Sequence, residues 1–131
     1  MSYASRIGRF VFGLWFLSSG INHWFEFRAV NMGVNPLSTE LSQALMDSGL
    51  YTVVKLVQIV TGLMLILNLF APLALVLAMP ISIVVFYWNV VLEPVPYNHI
   101  VGTFTLGLNA LMMLVYIEIY RPLLIARPPR E

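Results

Sequence analysis

Between Tyr51 and Pro72 the chain reads YTVVKLVQIVTGLMLILNLFAP. The nineteen residues from Val53 to Ala71 hold a single charge, Lys55. A run of about 20 apolar residues is what crosses a hydrocarbon core of about 30 Å. Lipid offers the backbone no hydrogen-bond partner, so such a run must be helical. Lys55, Gln58 and Gly62 are spaced i, i+3 and i+7 and therefore share one helical face. A cation and an amide inside a membrane need partners that lipid does not supply. The rest of the chain has to supply them.

Composition agrees with a membrane protein. Of 131 residues 60% are hydrophobic and 10% charged, with mean hydropathy +0.85; a soluble domain carries about 25% charged residues. A net charge of +1 without a basic face argues against a nucleic-acid partner. The chain has no cysteine, which excludes disulfide exchange, thiolate metal sites and iron–sulfur ligation by its own residues. No internal repeat is visible, and one membrane domain over 1–131 is expected.

Four spans are predicted, at about 7–27, 51–70, 72–92 and 99–120. Arg6 and Arg9 before the first apolar run resemble the start of a signal peptide, but NHWFEF follows where a small-residue cleavage site would stand. A retained helix is the expectation. Between spans one and two, Asn35 and Pro36 read as an N-cap and first helical position, and Gly49 as a stop. Leu37, Leu41, Ala44 and Leu45 then lie opposite Ser38, Glu40, Gln43 and Asp47, giving a short amphipathic helix at about 36–48 that lies on the membrane surface, packs over the bundle as a loop helix, or does both. Asn68 to Pro72 reads as a tight turn, Pro80 as a kink, and Ala74, Ala78 and Ser82 as a small-residue face for close helix packing. The basic, Pro-rich stretch 121–131 forms a tail. Arg6, Arg9, Arg121, Arg127 and Arg130 gather on one side and only Arg28 and Lys55 on the other. The positive-inside rule then places both termini in the cytoplasm of a bacterial inner membrane.

With that topology the polar residues collect at the outer ends of the spans. Asn22, His23 and Glu26 come from the first, Lys55 and Gln58 from the second, Asn89 and Glu93 from the third, and His99 from the fourth. One reading is a network in which Glu26 or Glu93 neutralises Lys55 and the amides bridge helices, each polar contact contributing about 0.6–2 kcal/mol. The other is an outward-facing cavity that binds a small molecule or relays protons. His23 and His99 sit at similar depth and could serve as the two ligands of a bis-histidine haem, but both are interfacial, so a hydrogen-bonding role is the stronger reading. With scattered carboxylates they fall short of a metal site. No catalytic residue is assigned, since no phosphate loop, nucleophile elbow or His-Glu-His zinc motif is present. The methionines read as apolar filling, and Glu118 with Arg121 as an interfacial i, i+3 pair.

The stretch from Ser48 to Pro94, the helix pattern GLWFLSSGINHW, the NPL before the amphipathic segment and the later YRPLL resemble the DoxX family of small four-span bacterial membrane proteins. The resemblance implies an all-α, four-helix transmembrane fold. It also implies association, in some relatives, with quinone-linked thiosulfate oxidation or with membrane complexes that handle oxidative stress. Trp88 stands near a place where relatives often carry a histidine, so no histidine-based role is carried over there. The leading expectation is an accessory or scaffold subunit of a membrane complex, with the lipid bilayer, other membrane proteins or further copies of the chain as partners. A small-molecule, quinone or lipid binder or carrier is the alternative, and a quinone-linked oxidoreductase subunit the third. No cofactor is assigned.

Overall fold

The computed structural model describes residues 3–25, 33–93 and 95–127. Among these the regular secondary structure is helical throughout. The elements are α1 (Tyr3–Phe25), α2 (Pro36–Ser48), α3 (Leu50–Ile66), α4 (Ala71–Phe86) running on into a π turn (Tyr87–Leu92), α5 (Pro96–Val115) and the short α6 (Ile117–Tyr120), followed by a single 3₁₀ turn (Arg121–Leu124). Among the described residues two helices are long and apolar enough to cross a membrane, Ala71–Leu92 and Pro96–Val115. A third candidate is the pair formed by α2 and α3, which bend by 85° at their junction. α1 has the length, at 23 residues, but Arg6, Arg9, Asn22 and His23 dilute its apolar character.

The expected boundaries move by a few residues. The second apolar helix stops at Ile66 rather than near 70, because Asn68 and Phe70 take the left-handed conformation at φ 54° and 52°. The last long helix begins at Pro96, three residues before the expected start, with proline in the first turn where its missing N–H costs nothing. The amphipathic helix spans the expected residues. The Asn35 side chain accepts from the Leu37 N–H at 3.0 Å, and Gly49 ends the helix at φ 81°.

α1 packs chiefly on α3 and α4 on α5, while α3 against α4 and α1 against α5 complete the contacts. Glycine sets the α1–α3 approach. A Cβ at Gly62 would stand 2.7 Å from the Leu17 nitrogen and 2.8 Å from the Gly13 carbonyl; one at Gly20 would meet the Lys55 carbonyl at 2.9 Å. The two backbones therefore touch directly, as small residues permit between membrane helices. Ala74, Ala78 and Ser82 on α4 are fully buried, in keeping with their spacing. The apolar core joins Phe12 and Phe16, with ring centroids 4.6 Å apart, to Leu65, Leu75, Met112, Tyr116 and Tyr120. Leu65, Leu75, Met112, Tyr116 and Tyr120 lie toward the end where α3 turns into α4, while Phe16 reaches the cavity described below.

Candidate functional site

At the opposite end α1 and α4 finish while α3 and α5 begin. Here the helices enclose a cavity of about 480 Å³, within the range of about 300–1,000 Å³ typical of small-molecule sites. Four of the expected site residues line it: Asn22 from α1, Lys55 and Gln58 from α3, and Asn89 from the π turn. α5 adds Tyr97, Asn98 and Thr105.

The Lys55 ammonium donates to the Ser19 carbonyl at 3.2 Å and lies 4.9 Å from the centroid of the Tyr51 ring. Gln58, one helical turn deeper, is only 3% exposed. Among the described residues its carbonyl oxygen has no hydrogen-bond donor. Such a group is uncommon, because a buried polar atom normally finds a partner. Asn89 donates to the Val85 carbonyl at 2.7 Å, one turn back on α4. It sits in the six-residue π turn, a rare local geometry that recurs at functional sites. Gly102 of α5 lets that turn come close, since a Cβ there would stand 2.9 Å from the Asn89 Cβ. Across the cavity the Trp15 indole donates to the Thr105 hydroxyl at 3.0 Å, tying α1 to α5.

The remaining expected residues go elsewhere. His23 pairs with the Thr52 hydroxyl at 3.2 Å and stacks edge-on against Trp24 and Tyr51. The Nε2 of His99 meets the Glu93 backbone carbonyl at 3.0 Å. The two histidines thus serve different contacts, and among the described residues no group of three or more His, Asp or Glu side chains could hold a metal. Glu26 lies outside the described residues.

Of the two carboxylates expected as partners for Lys55, Glu93 is engaged elsewhere. Its carboxylate, 1% exposed, sits on the N-terminus of α2. It accepts from the Val34 N–H at 2.9 and 3.1 Å, from the Asn35 N–H at 3.2 Å, and from the Ser38 hydroxyl. The helix dipole and its unsatisfied N–H groups attract an anion there. The Ser38 hydroxyl, against the upward push of burial and with help from the Val34 and Asn35 N–H groups, holds the Glu93 carboxyl below its ordinary range. Trp88 adds a second tie, donating from its indole to the Ser38 carbonyl at 3.1 Å. Gly33, at φ 84°, leaves room for the carboxylate, since a Cβ there would collide with Glu93 and Ser38. Together these bonds pin α2 to the end of α4.

A sequence profile of the DoxX family matches residues 4–90. The chain belongs to the DoxX family. No curated protein and no solved structure matches it. The matched segment runs from α1 into the π turn and includes Asn22, Lys55, Gln58 and Asn89. In this DoxX-family protein Glu93 and the α5 wall of the cavity follow the matched segment.

Several cavity and clasp residues went unnoticed in the sequence. Trp15 and Thr105 carried a signal, because an indole N–H within an apolar helix needs an acceptor. The pairing of Ser38 and Gly33 with Glu93 carried none, since it joins segments more than fifty residues apart.

Proposed function

We propose that this protein is an integral membrane binder of a small molecule, crossing a bacterial inner membrane four times with both termini cytoplasmic. The observation that carries the binding role is the 480 Å³ cavity, walled by polar side chains from α1, α3, the π turn and α5. Buried polar surface is costly in lipid, and a network built only for stability would close upon itself. Among the described residues this one leaves the Gln58 oxygen without a donor beside an open volume. For the topology, support comes from the helix lengths and from the distribution of cations. α1 extends over about 34 Å at 1.5 Å per residue. Arg6 and Arg9 begin α1, and Arg121 and Arg127 follow α5, at the end away from the cavity.

The test is purification in mild detergent with mass spectrometry of small molecules that accompany the protein. A Val101→Trp variant, which fills the cavity from α5, should keep the fold and lose the accompanying molecule. A wild-type protein that consistently carries nothing would count against the binding role.

The accessory-subunit reading draws on a different face. Thr103 and Gly107 are exposed one turn apart on α5, and a Cβ at Gly107 would meet nothing within 4 Å. A notch between small residues suits a second membrane helix. Native purification that repeatedly yields a single chain, or a Gly107→Leu variant that keeps its partners, would remove this reading.

A further inference from the structure

A second cavity, of about 360 Å³, lies against the first and shares Tyr51, Lys55, Gln58, Val85, Trp88 and Asn89 with it. Its character is different. The outer part runs between α3 and α4 beneath α2 and is lined by Leu45, Leu50, Val54, Ile81 and Val84. Leu50 and Val84 are 50% and 52% exposed, so the rim opens on the apolar flank of the helices. At the inner end stands Gln58, with its unpartnered oxygen. The apolar groove and the polar chamber therefore meet at one shared wall, in which the buried Gln58 amide stands. Pro80 lines it too, at a position where α4 lacks one backbone N–H donor.

Resting on the binding role proposed above, we infer that the ligand is a single-chain amphiphile with a neutral, hydroxyl-bearing head, taken laterally from the membrane between α3 and α4. The head lies in the 480 Å³ chamber and the chain in the 360 Å³ groove. The head chemistry follows from the wall. The Gln58 carbonyl oxygen has no hydrogen-bond donor among the described residues, and a head-group hydroxyl supplies one. A cationic head is disfavoured, since among the described residues no carboxylate lines either cavity. A water-soluble ligand would leave the groove without purpose.

The probe is a medium-chain monoacylglycerol carrying a diazirine at the methyl end of its chain, mixed into phosphatidylcholine nanodiscs that contain the full-length protein. After irradiation the adducts are mapped by peptide mass spectrometry. Adducts should concentrate on Val54, Ile81 and Val84, ahead of the outward-facing Leu111 and Leu114. Unlabelled monoacylglycerol should compete and glycerol should not. Gln58→Leu should lower capture about tenfold, the effect of leaving a ligand hydroxyl without its acceptor. Gln58→Glu keeps an acceptor oxygen and should retain capture. Val84→Trp, on the lipid flank, should block the groove without altering the core. Adducts spread evenly over the lipid-facing surface would overturn the lateral path. A fatty acid of equal chain length competing tenfold better than the monoacylglycerol would overturn the neutral head. Competition by glycerol alone would overturn the amphiphile and leave the cavity-binding role standing. No specific capture, combined with no co-purifying molecule, would remove both.

Discussion

The end of the molecule around the α3–α4 turn and the end around Lys55 are built from the same four long helices, yet only the first is filled. Toward the turn Phe12, Leu65, Leu75 and Met112 are buried almost completely. Two polar side chains there act as closures. Arg9 donates to the Leu65 carbonyl at 3.3 Å, near the C-terminus of α3 where a cation is favoured, and the Tyr120 hydroxyl donates to the Pro72 carbonyl at 2.6 Å. Toward Lys55 the polar groups line a space. Close packing at one end allows looseness at the other, because rigid backbones pinned at Gly13 and Gly62 hold the chamber open without filling it. The contrast predicts that substitutions at the filled end cost fold stability, and that those at the open end cost ligand more than fold.

The largest effect is expected at Gly62. Any side chain there must push against the α1 backbone, which cannot swing aside as a flexible side chain would. Gly62→Leu should separate α1 from α3 and yield little folded protein, seen as loss of a monodisperse peak in detergent. The penalty should be at least the roughly 1–3 kcal/mol typical of overpacking. Next is Phe12→Ala, which opens a void in the filled end and should cost roughly 3–5 kcal/mol in a reversible unfolding assay. If Phe12→Ala proves no worse than a cavity-wall substitution, the distinction between the two ends fails.

A local effect should follow at Glu93. Its pKa is lowered in the folded state relative to the ordinary value of 4.5. The tie to α2 is therefore complete above that ordinary value and is lost as pH falls through the lower folded value. Hydrogen exchange of α2 amides should stay constant between about pH 7 and about pH 5, after correction for intrinsic rates, and quicken only in stronger acid. Glu93→Leu should release α2 at all pH values while leaving the α1–α3 contact intact. An α2 equally protected in that variant would show that Trp88 alone holds it.

How much of this was legible in advance depended on range. The α2 helix was read to the residue because its signals, Asn35, Pro36 and Gly49, act within a turn of where they stand. The polar residues of α1, α3 and the π turn were assembled from the alternating direction of the spans together with helical period, and Asn22, Lys55, Gln58 and Asn89 do line one cavity. The fate of Glu93 was not legible. Its position after an apolar run marks an interface, but choosing between Lys55 and the α2 N-terminus requires the path of the intervening chain. The π turn escaped as well, because YWNVVL contains nothing that separates it from an ordinary helical turn. Pro96 did announce the true start of α5, three residues ahead of the expected one.

The smallest effect, and the one that sharpens the comparison most, is expected at Thr105. It lies at the chamber wall, 1% exposed, and accepts the Trp15 indole N–H while its hydroxyl donates to the Val101 carbonyl at 2.8 Å. Thr105→Val keeps the shape and removes the acceptor. Polar contacts between membrane helices average about 0.6 kcal/mol, so the loss of stability should be near that figure and far below that of Phe12→Ala. The indole N–H, however, would then lose the acceptor that ties it to the α5 side of the chamber wall. Binding of a co-purifying ligand should consequently change more than unfolding does, whether measured as retained molecule per protein or as competition by an added one. A Thr105→Val variant as unstable as Phe12→Ala would mean that the wall carries the fold. The chamber would then be a by-product of packing rather than a place kept open for a guest.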